Sequence, residues 1–234
     1  AHQLHAKGAV AYREQNNVPL VISHPAFPGG GQCRAISSHL DLAPTLVSLT
    51  GIEPAERAAI VKGLPGKDLS GLLAAPGEAA VNAVHEGLLF NYNMFAYLDG
   101  GFLNKAVDFV HRGGNPRELQ GAGIVPDMMK RGAVRSVYDG RHVFSRYFSP
   151  KQHNLPTSLE ALYRLNDVEL YDTQADPDEM RNLAASQGDA DELVLAMNAK
   201  LNALIGDEVG EDVGQMLPGG ADAGWEVTPE TMAP

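Results

Sequence analysis

Apolar positions with two different spacings mark the N-terminal part of the chain. Residues 18–23 form a short apolar run bounded by prolines, which predicts a buried β-strand. The next apolar positions recur at helical spacing and share one face: Leu42, Leu46 and Leu49. They predict a helix over residues 44–50 that packs on the strand, with Asp41 as its N-cap and Gly51 at its end.

The pattern becomes β-like again in the second half of the chain. Two such runs, residues 133–138 and 141–148, are joined by Asp139-Gly140, which is a strong hairpin signal. A third run at residues 168–172 follows a short helical stretch at residues 158–165. These runs predict a small antiparallel sheet.

Helical spacing returns near the C-terminus. Residues 190–205 place four apolar side chains on one face: Leu193, Met197, Leu201 and Leu204. Gly206 is predicted to end this helix. Upstream, the run from Asp176 to Glu179 predicts another helix start, with Asp176 as N-cap, Pro177 at the first helical position and Glu179 in the reciprocal capping position.

The elements together predict an α/β fold in two parts. Residues 1–75 contain too few strands for a complete doubly wound sheet, so we expect a partial sheet there. Residues 76–206 form a smaller α+β domain, in which the antiparallel sheet packs against the last helix. Within it, residues 81–90 are a candidate strand, and residues 91–132 have weak periodicity. The acidic residues 207–234 are expected to be a poorly ordered tail.

Composition excludes several classes of function. The chain has 234 residues, with 44% hydrophobic and 20% charged residues, as in ordinary globular proteins. Its net charge of −11 argues against a nucleic-acid or anionic-membrane surface, and no apolar run approaches the ~20 residues of a membrane helix. The single cysteine, Cys33, forbids an internal disulfide. We therefore expect no nucleic-acid partner and no membrane segment.

The N-terminus leaves the compartment open. It has neither an initiator methionine nor a signal peptide, so the chain is expected to be a trimmed or partial one. A cytoplasmic and a periplasmic or secreted location are both compatible with it. The oligomeric state is equally open.

The residues just before the predicted first strand hold the candidate chemistry. His2, His5 and Lys7 lie within six positions of one another. Ligands of open α/β sheets bind in loops at strand ends, so this segment is the natural place for a site. From spacing alone, however, a polar surface loop explains the same residues.

Three motif segments together resemble the C-terminal half of sulfatases, in the alkaline phosphatase-like superfamily. The first, residues 2–20, is similar to the family's His-Gly-Leu-x-x-Lys, Tyr-Glu-Glu and Val-Pro-Leu: His2, Lys7, Tyr12, Glu14 and Val18-Pro19-Leu20. The second, residues 39–69, is similar to Asp-x-x-Pro-Thr and Gly-Lys-Ser-Leu: Asp41, Pro44-Thr45 and Gly66-Lys67-Asp68-Leu69. The third, residues 169–184, resembles the ending Glu-Leu-Tyr-Asp, Asp-Pro-x-Glu, Asn-Leu: Glu169 to Asp172, Asp176 to Glu179 and Asn182-Leu183. Their order makes the resemblance specific.

The resemblance implies a metal-dependent, arylsulfatase-like hydrolase of small-molecule sulfate esters, with Lys7 as the sulfate-contacting lysine. A fixed ammonium there would stabilise charge on the ester oxygens, and His2 would donate a hydrogen bond or a proton. A structural role for His2 fits equally well, and His5 is interpreted as structural. Gln3 stands where the family has glycine.

The family's nucleophile and metal ligands are not matched in this sequence. Cys33 is not followed by the family's Pro/Ala-Ser-Arg pattern, so it is not the formylglycine precursor. We therefore expect the formylglycine nucleophile and the calcium ligands upstream of Ala1, and none in this chain. The alternatives are a phosphonate or phosphate-ester hydrolase of the same superfamily, and a catalytically inert fragment or binding domain.

Overall fold

The computed structural model describes His2 and residues 10–93 and 99–213. The helices are α1 (Arg13–Asn16), α2 (Leu42–Leu49), α3 (Pro54–Ile60), α4 (Gly100–His111), α5 (Leu159–Leu165) and α6 (Asp191–Glu208). The strands are β1 (Leu88–Tyr92), β2 (Ala133–Tyr138), β3 (His142–Phe148) and β4 (Asn166–Asp172). No helix in these described ranges is long and apolar enough to cross a membrane.

The chain divides into two compact units. The first comprises residues 1–16, 89–137 and 143–234, and the second comprises residues 17–88 and 138–142. The first unit contains the sheet and α6. The second contains α2, α3 and the turn of the β2–β3 hairpin.

The first unit is built on one antiparallel sheet with the strand order β1-β2-β3-β4. The predicted hairpin, the third β-run and the short helix between them are confirmed as β2, β3, β4 and α5. Asp139 N–H donates to the His142 carbonyl, and Ser136 Oγ lies 2.9 Å from Ser145 Oγ. This register sets Val137 opposite Phe144 across the hairpin.

One face of the sheet packs against α6 to form the main core. Its buried residues come from β2, β3, β4, α5, α6 and the segment before α6: Val137, Phe144, Leu162, Val168, Leu170, Ala184, Val194, Met197, Leu201 and Ile205. Met197 and Leu201 are buried as the sequence predicted. Leu193 and Leu204 are only partly buried, at the edge of the same cluster. The packed helix of the predicted α+β part is thus confirmed.

The end of α6 differs from the prediction. Gly206 lies inside the helix, which continues to Glu208, and Gly210 instead has a positive φ of 85° just beyond it. The Gly210 N–H donates to the Ile205 carbonyl, as in a left-handed C-terminal cap. A glycine in a helix interior costs only about 1 kcal/mol, so packing of the surrounding turns overrides it.

The run from Asp176 to Glu179 does not begin a helix, so that prediction is wrong. Glu179 N–H donates to the Asp176 carbonyl, and Arg181 N–H donates to the Asp176 carboxylate. Glu179 has a positive φ of 53° and is buried, which is incompatible with a continuing helix. Asp176 therefore organises a turn.

The segment that showed weak periodicity, residues 91–132, contains a helix. Asp99 is the N-cap of α4 and accepts hydrogen bonds from the N–H groups of Gly101 and Phe102. The Asp127 N–H and the Lys130 ammonium also donate to this carboxylate, and they hold the pKa of Asp99 well below its usual range. The sequence pattern did not reveal this N-cap, because two glycines follow Asp99 at positions where good helix formers are expected.

The predicted strand at residues 18–23 is not a strand, and this prediction is wrong. Three of its apolar side chains are exposed, with Val21 at 89% relative accessibility. A strand needs a partner for its backbone groups, and among the described residues none pairs with this run. The expected helix is confirmed as α2.

Candidate functional site

His2 is the one residue of the predicted catalytic pair that the structure describes, because Lys7 lies outside the described residues. The His2 ring stacks on Tyr12, with centroids 3.8 Å apart and planes inclined by 4°. The His2 N–H lies 3.4 Å from Glu14 Oε2. Its Nε2 atom is shielded from water and has no hydrogen-bond partner among the described residues. His2 is therefore held by its ring against Tyr12 and by its backbone beside Glu14.

Tyr12, on which the His2 ring stacks, belongs to a cluster of three tyrosines around one glutamate. Tyr12 Oη donates to Glu169 Oε1 at 3.1 Å, and Tyr147 Oη donates to Glu169 Oε2 at 2.8 Å. Tyr171 Oη lies 3.3 Å from Glu169 Oε1. Glu169 and Tyr171 are two positions apart on β4 and so share a face of the sheet, opposite the face that packs on α6. We call these four residues the tyrosine cluster.

Backbone contacts tie the N-terminal segment to the same place. The Ala11 N–H donates to Tyr147 Oη at 3.3 Å, and the Arg13 N–H donates to Glu179 Oε2 at 2.8 Å. Burial raises the pKa of Glu179. Residues 11–13 are thus fixed to β3, β4 and the turn after β4, which anchors the chain immediately downstream of the candidate site.

The three tyrosines of the tyrosine cluster stay protonated at physiological pH. Burial, and then the negative charge of Glu169, raise the pKa values of Tyr147 and Tyr171 far above the ordinary value, and they also raise the pKa of Tyr12. A protonated phenol is a hydrogen-bond donor. Each tyrosine can therefore keep donating to Glu169, and the cluster positions the N-terminal segment rather than supplying a base.

Alkaline pH is expected to destabilise the protein through Tyr147. The pKa of Tyr147 is raised in the folded state. Its contribution to the free energy of unfolding is therefore complete below the pKa of an unfolded tyrosine, which is near 10, and is lost as the pH rises above that pKa. The unfolding free energy should fall by about 1.4 kcal/mol per pH unit for one such tyrosine. Urea unfolding between pH 9 and 11.5 measures the slope, and Tyr147→Phe should make it shallower. A wild-type stability that stays flat above pH 10 would contradict this.

The second motif segment is organised by a buried carboxylate in the second unit. Asp41 is fully buried and does not cap α2 as predicted, since its side chain makes no N-cap hydrogen bond there. Instead Ser38 is the N-cap of the single 3-10 turn His39–Asp41 that precedes α2, and Asp41 accepts from the Ser38 N–H and the Lys67 N–H, both at 2.7 Å. His85 Nε2 lies 3.0 Å from both of its oxygens.

Other residues of this motif segment join residues 39–45 to residues 66–69, and Lys67 also reaches Val84. Thr45 Oγ1 accepts from the Leu69 N–H at 2.8 Å, and the Lys67 ammonium donates to the Val84 carbonyl. Gly66 lies directly against the Leu40 carbonyl, where an added Cβ atom would overlap the oxygen. Glycine is therefore required at this position by the close approach of two backbones.

Gly66→Ala is expected to destabilise the protein by about 3 kcal/mol, because the added methyl group forces the backbone at Leu40 to move. Gly71→Ala is the matched control, since nothing lies within 4 Å of the added atom and its φ is not positive. Urea or thermal unfolding of both variants measures the difference. Equal stability of the two variants would show that the Gly66 contact is not tight in solution.

The acidic, histidine and cysteine side chains of the described residues do not cluster in threes. None of their His, Cys, Asp and Glu side chains form a group of three or more that could hold a metal ion. Cys33 is an exposed free thiol. Asp41, the acidic residue of the second motif segment, is engaged by protein donors.

Two buried arginines and a buried aspartate were not singled out from the sequence. Arg135 and Arg146 occupy alternate β positions where apolar residues are expected, and both are buried. Asp212 lies in the predicted tail, yet it pairs with Arg135 at 2.7 Å. The sequence signal for these two arginines was a charged residue inside each of two β-like runs. The structure does not describe residues 214–234, so the prediction for the rest of the tail is not addressed.

Comparisons with known proteins identify structural neighbours only. No protein-family model matches the chain, and no curated protein matches it. The solved structures include BT4656 in complex with its substrate D-glucosamine-2-N,6-O-disulfate, at 13% identity over 75% of this chain and 25% of that one, with a TM-score of 0.46. A provisionally assigned sulfatase, yidJ of Bacteroides fragilis, matches at 16% identity over 76% and 26%, with a TM-score of 0.43.

A second provisionally assigned sulfatase, from Bacteroides thetaiotaomicron, matches at 21% identity over 82% of this chain and 28% of that one, with a TM-score of 0.41. The chain thus spans about a quarter of the length of each neighbour. The family that the sequence motifs resemble is also the family to which two of these three solved proteins are provisionally assigned.

Proposed function

We propose that this chain is the C-terminal portion of a sulfatase-like hydrolase that cleaves small-molecule sulfate esters. The observation that carries the proposal is the meeting of motif residues that lie far apart in the sequence. Tyr12 of the first motif segment donates to Glu169 of the third, across 157 positions. The Arg13 N–H likewise donates to Glu179 of the third segment.

Residues of the second motif segment that lie apart in the sequence also meet, within the second unit. Asp41 and Thr45 accept hydrogen bonds from the backbone of Lys67 and Leu69, so the two halves of the motif bind each other. Residue types that the resemblance selects in all three segments therefore have specific hydrogen-bonding tasks. This supports a common architecture more strongly than the motifs do when each is taken alone.

The chemistry proposed for this chain belongs to its first residues. Lys7 would place a positive charge beside the sulfate group, which stabilises the charge that develops as the ester bond breaks. His2 would donate from its ring to the same group, held at a fixed angle by the Tyr12 face. The tyrosine cluster would act as a positioning element, because it fixes Ala11 and Tyr12 to the sheet.

The nucleophile and the metal are proposed to come from the rest of the polypeptide. A formylglycine would supply the attacking oxygen, and calcium would bind the sulfate group. No described residue of this chain is assigned to either. The substrate is proposed to be a sulfate ester of low molecular mass, and the sulfated sugar in the BT4656 complex is one compound of that class.

The test is to express the polypeptide with the coding sequence upstream of Ala1 and to assay an aryl sulfate beside an aryl phosphonate. Turnover of the sulfate by the longer protein, without turnover by the 234-residue chain, is the expected result. Preference for the phosphonate would support the other hydrolase class of the superfamily. An upstream sequence without a Cys-x-Pro/Ala-Ser-Arg motif would overturn the sulfatase proposal.

A further inference from the structure

Two arginines face each other inside the core of the first unit. The hairpin register that pairs Ser136 with Ser145 also pairs Arg135 with Arg146, on the face that packs against α6. Both side chains are buried, with relative accessibilities of 1% and 0%. They separate the main core from the small apolar contact between Ala133 and Phe148. Like charges directly opposite each other on a sheet repel, so this arrangement needs compensation.

Arg135 has its own counterion. Its Nη2 lies 2.7 Å from Asp212 Oδ2, and its Nη1 donates to Asn91 Oδ1 at 3.0 Å. The guanidinium also lies over the Phe148 ring, 5.4 Å from the centroid. The Asp212 carboxylate is shared with His153, whose Nε2 is 3.0 Å from the same oxygen. The Asp212 carboxylate therefore interacts with both Arg135 and His153.

Among the described residues, Arg146 makes hydrogen bonds only to neutral groups, and only through one of its nitrogens. Its Nη1 donates to Asn198 Oδ1 at 2.8 Å and to Asn202 Oδ1 at 2.7 Å. Both amide groups donate in turn to the Pro156 carbonyl, which fixes their oxygens toward the guanidinium. The Nε and Nη2 atoms are shielded from water and have no hydrogen-bond partner in the described ranges.

Arg146 is a buried positive charge whose hydrogen-bonding capacity is only partly used. Burial, and then the charge of Arg135, lower the pKa of Arg146 to about 9, so it remains protonated at neutral pH. In the described part of the chain, the two guanidinium groups share one carboxylate, Asp212, whose negative charge only partly offsets the lowering of the Arg146 pKa. A buried charge without a counterion is strongly unfavourable, and Nε and Nη2 present parallel donors along one edge of the guanidinium plane.

We propose that Arg146 Nε and Nη2 bind a small monovalent inorganic anion of the chloride class. The anion completes the charge balance of the Arg135–Arg146 pair, and its small size suits a side chain with no exposed surface. The site is a structural one, between the β2–β3 hairpin and α6. It lies on the face of the sheet opposite the tyrosine cluster, and it does not depend on the proposed hydrolase function.

Thermal unfolding of the full chain in chloride and in gluconate, at equal ionic strength, tests the site. Gluconate is too large for a shielded site, so wild-type protein should melt about 5 °C higher in 0.2 M chloride than in gluconate. Arg146→Met and Arg146→Lys should abolish the difference, since neither offers the two parallel donors. The exposed Arg112 supplies the control, and Arg112→Met should keep the full chloride response.

Bromide is the direct probe of position. Crystals grown in sodium bromide should show an anomalous peak within hydrogen-bond distance of Arg146 Nε and Nη2, and the peak should be absent from Arg146→Met crystals. A wild-type melting temperature that does not respond to chloride, or a response equal in Arg146→Met, overturns the proposal. So does an ordered water at the two nitrogens in place of the bromide.

Discussion

Replacing Lys7 by alanine in the complete protein is expected to lower the rate of aryl sulfate cleavage by about 10²–10³. The lysine stands where the sequence resemblance puts the sulfate-contacting residue. Its charge would act mainly in the transition state, when negative charge grows on the ester oxygens. The loss should therefore appear in kcat as well as in kcat/KM, because an interaction made only in the transition state affects both.

Matched controls separate a chemical effect from a structural one. Lys105 is an exposed lysine on α4, and Lys105→Ala should retain the full rate. Thermal melting of Lys7→Ala should match the wild type. His2→Ala should have a smaller effect on rate, because stacking on Tyr12 is compatible with a structural role. Near-complete kcat/KM in Lys7→Ala would show that the first motif segment is a structural loop.

The sheet of the first unit could be predicted because its signals are local. Asp139-Gly140 sets the hairpin turn, and Gly140 adopts a positive φ of 94° there. Ser158 caps α5 through its side chain, and α6 follows from a helical apolar period. Each of these features is decided within a few residues, so one sequence contains the necessary information.

The segment at residues 18–23 shows the limit of such local signals. Its apolar, β-branched composition describes a strand buried on both faces, but composition does not supply the neighbouring strand. In the structure Val18, Leu20 and Val21 are exposed. A strand is a property of a pair of segments, and the local pattern alone therefore gave the wrong answer.

The contacts around the candidate site could not be predicted from the sequence. His2 and Tyr12 were picked out by resemblance, but the Tyr12–Glu169 bond joins opposite ends of the chain. No periodicity links two positions so far apart. Arg135 and Arg146 were missed for a related reason, since an isolated sequence does not show that two charged residues will face each other inside a core.

Asp41→Ala is the second variant with a large expected effect, a loss of about 3–5 kcal/mol in the free energy of unfolding. The carboxylate is fully buried and joins three stretches of the second unit. Its removal leaves the Ser38 N–H, the Lys67 N–H and His85 Nε2 without their acceptor. A buried donor without a partner costs more than a hydrogen bond contributes, so the three losses dominate.

Urea unfolding and amide exchange at Lys67 together measure the effect of Asp41→Ala. Exchange at that amide should accelerate in parallel with the loss of stability, because its acceptor is gone. His85→Ala should cost less than Asp41→Ala, since both backbone donors keep the carboxylate. Glu56→Ala, on the exposed side of α3, is the control and should change stability by less than about 0.5 kcal/mol. If Asp41→Ala matches that control, the carboxylate does not hold the second unit together.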